Sequence, residues 1–191
     1  MHDEERGRAE DLIRNMIRLI GDVPDREGLV ETPRRVVNSW NELFRGYRED
    51  PRDLLKTFDE SFSGMVLAKG IKFYSTCEHH ILPFSGEAHI AYIPAGGKVI
   101  GASKLNRLLE VFSRRLQIQE RIAEQVVDSL MRHINPAPLG AACLIQAHHL
   151  CMLCRGVKND QSFVTVVYRG SFLTDMNARN EFLHCVSINE K

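Results

Sequence analysis

Apolar residues recur at helical spacing between Glu4 and Ile20, where Leu12, Ile13, Met16, Ile17 and Ile20 lie opposite a charged face. The spacing predicts an amphipathic helix ending at Gly21. Asp25-Arg26-Glu27-Gly28-Leu29 reads as a loop, and Thr32-Pro33 as an N-cap followed by proline at the first helical position. A second helix then carries Val36, Val37, Trp40, Leu43 and Phe44 on one face and stops near Gly46. After Pro51 and a short helical turn, the apolar runs shorten and are punctuated by Gly and Pro: Met65 to Ala68, Ile71 to Ser75, and Glu87 to Pro94. These predict strands. Ser103 opens a long helical stretch through Leu105, Leu108, Leu109, Phe112 and Leu116, continuing through Ile122, Val126, Val127, Leu130 and Ile134 to Pro136. A helix this long is unusual in a small domain, so a break is expected near Gln117. Gly140 to Ala147 and Ser162 to Tyr168 follow as strand-like runs, with Phe182 to Ile188 as a last short strand. Helices first, then a sheet interrupted by a helical insert, define an α+β chain.

With 191 residues, 43% hydrophobic and 26% charged, the chain can bury one well-packed core and requires no second independent domain. Lys plus Arg equals Asp plus Glu at 25 each, which removes the global basic field that nucleic-acid binding would use. No apolar run approaches membrane-spanning length, and Met1 to Arg6 is too charged for a signal peptide, so a cytoplasmic location is expected. Five cysteines, an odd number, argue for reduced thiols over a disulfide framework. Cys143 and Cys185 lie in apolar runs and read as small core residues.

Chemistry concentrates in Cys77-Glu78-His79-His80 and in His148-His149-Leu150-Cys151-Met152-Leu153-Cys154-Arg155. Cys77 and His80 are three residues apart, a spacing that lets both reach one ion from a turn. Added to Cys151 and Cys154 they make either a closed four-ligand zinc site or a three-ligand site with one position left for water. Spacing leaves both open. His79 and His149 are surplus to a structural site but useful for proton transfer. His89 alternates with apolar neighbours and reads as structural. Ser103, Lys104 and Arg107 lie near a helix N-terminus, a place that favours anions, and Arg155 adds positive charge beside the second cluster. Together with a metal site they suggest a phosphorylated substrate. Gln119-Glu120 offers an amide and a carboxylate, and a carboxylate can pair with a guanine edge.

These segments, in order, resemble the zinc-containing GTP cyclohydrolase I family. The likeness runs from Asp25-Arg26-Glu27-Gly28-Leu29 and Thr32-Pro33-Arg34-Arg35-Val36 through Cys77-Glu78-His79-His80, Ser103-Lys104-Leu105-Asn106-Arg107 and Arg115 to Arg121, to His149-Leu150-Cys151-Met152 and Glu181-Phe182-Leu183. The resemblance implies a tunnelling fold, an antiparallel sheet with helices on one face. A helical region over residues 1–60 would precede a catalytic domain over 61–191. It also implies a homo-oligomer, a decamer, with active sites between subunits. The implied zinc ligands are Cys77, His80 and Cys151, with His79 and His149 as proton-transfer groups. Gln119 and Glu120 would hold guanine, and Ser103, Lys104, Arg107 and Arg155 the triphosphate. The implied reaction takes GTP and water to 7,8-dihydroneopterin triphosphate and formate. Cys154 departs from the family pattern, as do Ala102, Gln146, His148 and Val166. A related tunnelling-fold zinc hydrolase on another purine or pterin, or a non-catalytic zinc-stabilised assembly, are the competing readings. Glu78 is expected to orient a neighbour by hydrogen bonding.

Overall fold

The computed structural model describes residues 2–188. Met1, the first residue of the charged N-terminal run, and residues 189–191, the end of the expected catalytic region, lie outside the described residues. The chain divides into two units, Met1–Arg45 and Gly46–Lys191. In the first, α1 (Asp3–Leu19) packs on α2 (Thr32–Leu43) through Ala9, Ile13, Ile17 and Val37, with Leu29, Val36 and Trp40 against them. The Ala9, Ile13 and Ile17 ridge follows the i, i+4 spacing that brings side chains onto one line. Leu12, Met16 and Ile20, flanking that ridge, remain exposed. Helix α2 starts one residue earlier than its sequence signal: Glu31 takes the N-cap position and Arg35 N–H donates to its carbonyl at 3.0 Å.

The second unit holds a short pair of strands, β1 (Thr57–Asp59) with β4 (Lys98–Ile100), and a five-stranded sheet. Its strands are β2 (Val66–Cys77), β3 (Pro83–Ile93), β5 (Leu116–Gln117), β6 (Gly140–His149) and β7 (Ser162–Gly170), in the order β5-β2-β3-β6-β7. All neighbours are antiparallel except the two-residue pairing of β2 with β5. The runs around Met65 and Ile71 prove to be one strand, joined across a bulge between Ala68 and Ile71. His89 accepts from Gly70 N–H at 3.2 Å inside that bulge, which gives the lone strand histidine a structural partner.

The long helical stretch breaks where expected. Helix α3 (Ala102–Ser113) ends before β5, and α4 (Gln119–His133) begins after it. Both pack on one sheet face. Phe73, Phe84, Ala88, Ile90, Tyr92, Cys143 and Ile145 point into this core with Leu105, Leu108, Leu109, Ile122, Val126 and Leu130. Each large side chain fully buried this way contributes roughly 1.5–3 kcal/mol. Two long helices on one face of an antiparallel sheet match the arrangement that the tunnelling-fold resemblance implies, while the C-terminal segment covers part of the other face.

The C-terminal run is a helix and not the expected strand. Short α5 (Leu150–Leu153) and α6 (Ser171–Thr174) precede α7 (Met176–Ser187). Asp175 caps α7 by accepting from Asn177 N–H at 2.8 Å, and Ala178 and Phe182, one turn apart, bury against Ala91, Ala142, Leu144 and Phe172. Lys69 donates to the Cys185 carbonyl at 3.2 Å and to that of Ile188, capping the far end. Helix-period burial therefore decides a segment too short and apolar for its period to be read alone. Strand β6 is covered on both faces up to Ile145, which explains its continuous apolar run. No described helix is long and apolar enough to cross a membrane.

Burial pushes the pKa of His89 below its ordinary 6.5, against the Glu87 charge that raises it and with Lys69, which also lowers it. A folded-state pKa below the unfolded one means that the unfolded chain takes up the proton first. Stability from this residue is thus intact above about pH 6.5 and falls as pH drops through that value. Chemical denaturation between pH 7.5 and 5.5 should show a steeper loss of midpoint in the parent protein than in His89→Asn.

Candidate metal centre and active site

The register of three strands gathers the site at one end of the sheet. Thr76 pairs with Pro83 across the β2–β3 hairpin, and Phe84 pairs with His149 across β3–β6, so the turn after Cys77 and the residues after His149 share that end. Cys77 N–H donates to the Leu82 carbonyl and Ile81 N–H to the Cys77 carbonyl, both at 2.8 Å, closing the turn. Ile81 has φ +54°, a left-handed conformation that costs a residue other than glycine roughly 1–2 kcal/mol. The hairpin around it holds that cost.

One ligand atom from each of Cys77, His80 and Cys151 lies within 4.8 Å of the others, and Cys77 Sγ is 3.8 Å from His80 Nδ1. Bond lengths of about 2.0–2.3 Å to a tetrahedral zinc place donors roughly 3.3–3.8 Å apart, so the spacing suits one ion with little movement. Both thiols are buried while His80 is exposed. Burial raises the pKa of Cys151, and Cys77 beside it raises it further. Two thiolates there need a cation between them. Cys154 does not join the group: it is exposed, and its Sγ donates to the Leu150 carbonyl at 2.7 Å. Cys154 is the C-cap of α5, its thiol is engaged by the Leu150 carbonyl, and the closed four-ligand site is not assembled.

Beside the group opens a cavity of 260 Å³ lined by Cys77, His79, His80, Gln119, Glu120 and His149, among others. His79 is largely exposed, its Nδ1 3.9 Å from Cys77 Sγ. His149 is half-buried, stacked on Phe84 with ring centroids 4.5 Å apart and planes 5° apart, and met edge-on by Phe163 at 5.5 Å. Burial pushes its pKa down, with His148 in the same sense and Glu120 opposing. Arg155 Nη1 stands 3.3 Å from His80 Nε2, on the rim of the group.

Glu78 meets Arg121 through two bonds, Nη1 to Oε2 at 2.5 Å and Nη2 to Oε1 at 3.1 Å, and this guanidinium holds the carboxyl below its usual range. The carboxylate therefore orients the metal-side turn against α4, the kind of neighbour contact expected of it. Arg121 stands within a segment that carries the family resemblance, but the sequence assigns no role to it, to Phe84 or to Phe163. Only the strand register, which sets Phe84 opposite His149, could have revealed the stacking partner.

Two sequence assignments find different surroundings. Gln119 is 2% exposed and its amide is fully engaged within the protein, Nε2 donating to the Ile145 and Phe163 carbonyls and to Thr165 Oγ1 at 3.0–3.1 Å. It leaves Glu120, which is exposed, as the side chain of the pair open to a base. Ser103, Lys104 and Arg107 occupy the first turns of α3, which begins beside Ile100, where the backbone N–H donates to Tyr92 Oη at 2.8 Å. Tyr92 is eight positions along β3 from Phe84, about 27 Å at strand rise. Ser103, Lys104 and Arg107 are not among the residues that line the cavity.

The fold and site define an α+β protein with a Cys/His/Cys set fit for a single metal ion, set beside a cavity that holds two histidines and a carboxylate. A sequence model of the family described as GTP cyclohydrolase I matches residues 9–187, and the chain belongs to that family. A relative named GTP cyclohydrolase 1 from Chlorobaculum tepidum is 46% identical over 187 residues, covering 96% of this chain and 82% of the relative. One of the same name from Wolinella succinogenes is 50% identical over 177 residues, covering 91% and 93%, and one from Rickettsia typhi 45% over 191, covering 98% and 99%. Among solved structures, the archaeosine synthase QueF-Like in the apo form is similar at TM-score 0.45 and 17% identity, covering 56% of this chain and 93% of that one.

Cobalt(II) titration followed by the thiolate-to-metal absorption band should give the same affinity in Cys154→Ala as in the parent protein, whereas Cys151→Ala should bind far more weakly. Glu78→Gln, which removes the charged pair with Arg121, should weaken binding by about 10–100-fold.

Proposed function

We propose that this protein is a zinc-dependent GTP cyclohydrolase, converting GTP and water to 7,8-dihydroneopterin triphosphate and formate in the cytoplasm. The observation that carries the reading is the cavity in which the Cys77, His80 and Cys151 donors meet His79, His149 and Glu120. Membership of the family and its similarly named relatives support the substrate.

Cys77, His80 and Cys151 would hold zinc, and with three protein ligands the ion supplies Lewis acidity and an activated water near neutral pH. Glu120 accepts from guanine N1–H and the 2-amino group, orienting the purine so that C8 faces the metal side. His79, in contact with solvent, delivers a proton to the imidazole-ring nitrogen as the ring opens. His149, clamped by Phe84 and Phe163, serves later proton transfers at a fixed position. C8 leaves as formate, and the rearranged ribose carbons close the pterin ring.

Ser103, Lys104 and Arg107 bind the triphosphate from another copy of the chain, with Arg155 on the rim of the cavity. Ser103, Lys104 and Arg107 are not among the residues lining the cavity beside Cys77, which supports a second copy as their source. The site is therefore shared across a homo-oligomer, a decamer by family resemblance. A closed ring would also pair the sheet edge offered by β7, removing an exposed strand edge.

Zinc-replete protein should release formate and dihydroneopterin triphosphate in equal amounts by mass analysis, and a chelator should abolish both. Formate without pterin would instead identify a hydrolase that stops at ring opening, and no product would reject the reading. Lys104→Ala and Cys151→Ala should each be inactive alone. Co-assembled, they should recover part of the activity, because some shared sites then receive both intact halves.

A further inference from the structure

The three partners of Gln119 Nε2 determine which way its amide faces. Two are backbone carbonyls, of Ile145 and Phe163, which only accept hydrogen bonds. A flipped amide would set oxygen against oxygen at both. The nitrogen therefore lies on that side, and Oε1 is turned toward His149 Nε2 at 3.0 Å. A carboxamide oxygen has lone pairs and no proton to give, so Nε2 of His149 must carry the hydrogen.

The ring has little freedom to escape this contact. Phe84 lies flat on one face and Phe163 meets it edge-on. Rotating the imidazole by half a turn would give up the bond to Gln119 and leave a buried carboxamide oxygen unpaired, at a cost of roughly 1–3 kcal/mol. Nδ1 is the ring nitrogen with no hydrogen-bond partner among the described residues.

We infer that Gln119 is a positioning residue: by accepting from His149 Nε2–H it holds the ring in one orientation and one tautomer, with Nδ1 as the nitrogen without a hydrogen. This role replaces the base-reading role for Gln119 and rests on the proposed cyclohydrolase reading of the pocket.

Nitrogen-15 NMR of histidine-labelled, zinc-replete protein, with His149 assigned by its loss in His149→Asn, reads the tautomer without any substrate. The expected spectrum shows a protonated Nε2 and a bare Nδ1. A protonated Nδ1 with bare Nε2 overturns the inference, even if GTP turnover is as proposed. Conversely, failure of turnover with the expected tautomer would reject the reaction and leave the positioning contact standing. Gln119→Met, which removes the acceptor at similar volume, should lower kcat by about 100-fold with KM changed less than about threefold. Gln119→Glu, which keeps an acceptor toward His149 but sets its second oxygen against the Ile145 and Phe163 carbonyls, should recover only part of that loss. A rise in KM at unchanged kcat would return Gln119 to base reading and overturn the inference. If neither variant folds, the tautomer of the parent protein decides alone.

Discussion

The double pairing of β3 is the constraint on which the site depends. Its first residues lie opposite Thr76 on one side and His149 on the other, so a single strand aligns the segment carrying Cys77 and His80 with the one carrying Cys151. A slip of one residue would turn every side chain of β3 to the other face, taking Phe84 away from both the core and the His149 ring. Gly86 helps prevent such a slip. A Cβ there would run into the Gln146 carbonyl of β6, so close approach of the two strands needs glycine at that position. Metal geometry is thus inherited from sheet geometry.

Charge is arranged with the same economy. Glu78 is adjacent to the ligands and could compete for a cation, but its two oxygens are taken by Arg121, which ties the turn to α4. Two thiolates and one neutral imidazole around a divalent ion sum to zero. Arg155, beside His80, then remains as positive charge on the rim, suited to the anionic end of a nucleotide. Neutralising the metal with thiolates thus leaves the guanidinium's field free for the substrate.

What could be read from the sequence divides by the range of the interaction involved. The candidate Cys/His clusters were legible because Cys77 and His80 share a turn and Cys151 follows a strand, but spacing left Cys154 open, and only the structure sets it outside the group. The helix breaks were legible too, set by local apolar spacing. Phe182 to Ile188 misled because a short apolar run fits both periods, and its helical state depends on the Asp175 cap and on burial of Ala178 and Phe182 under β6. Gln119 was singled out with Glu120 through the family resemblance, but its surroundings depend on carbonyls of Ile145 and Phe163 that come from two other strands. No spacing along α4 reports those.

The course of α3 gives a structural reason for the proposed shared site. The helix must carry the chain from Ile100, at the Tyr92 end of the sheet, back to β5, where Gln117 pairs with Cys77. Its C-terminus therefore points toward the metal group, and its N-terminus, with Ser103, Lys104 and Arg107, toward the opposite end. A helix N-terminus is the end that attracts anions, while the C-terminus carries the opposite partial charge. Within one chain the connection is bound to direct the wrong end of α3 at the cavity. Reversing α3 would strand β5 at the far end and lose the pairing that braces Cys77. On the proposed reading, a triphosphate meets both the metal group and an anion-binding helix end only if a second copy supplies the latter, which makes the β4–α3–β5 connection a reason for the proposed oligomer beside the pairing of sheet edges.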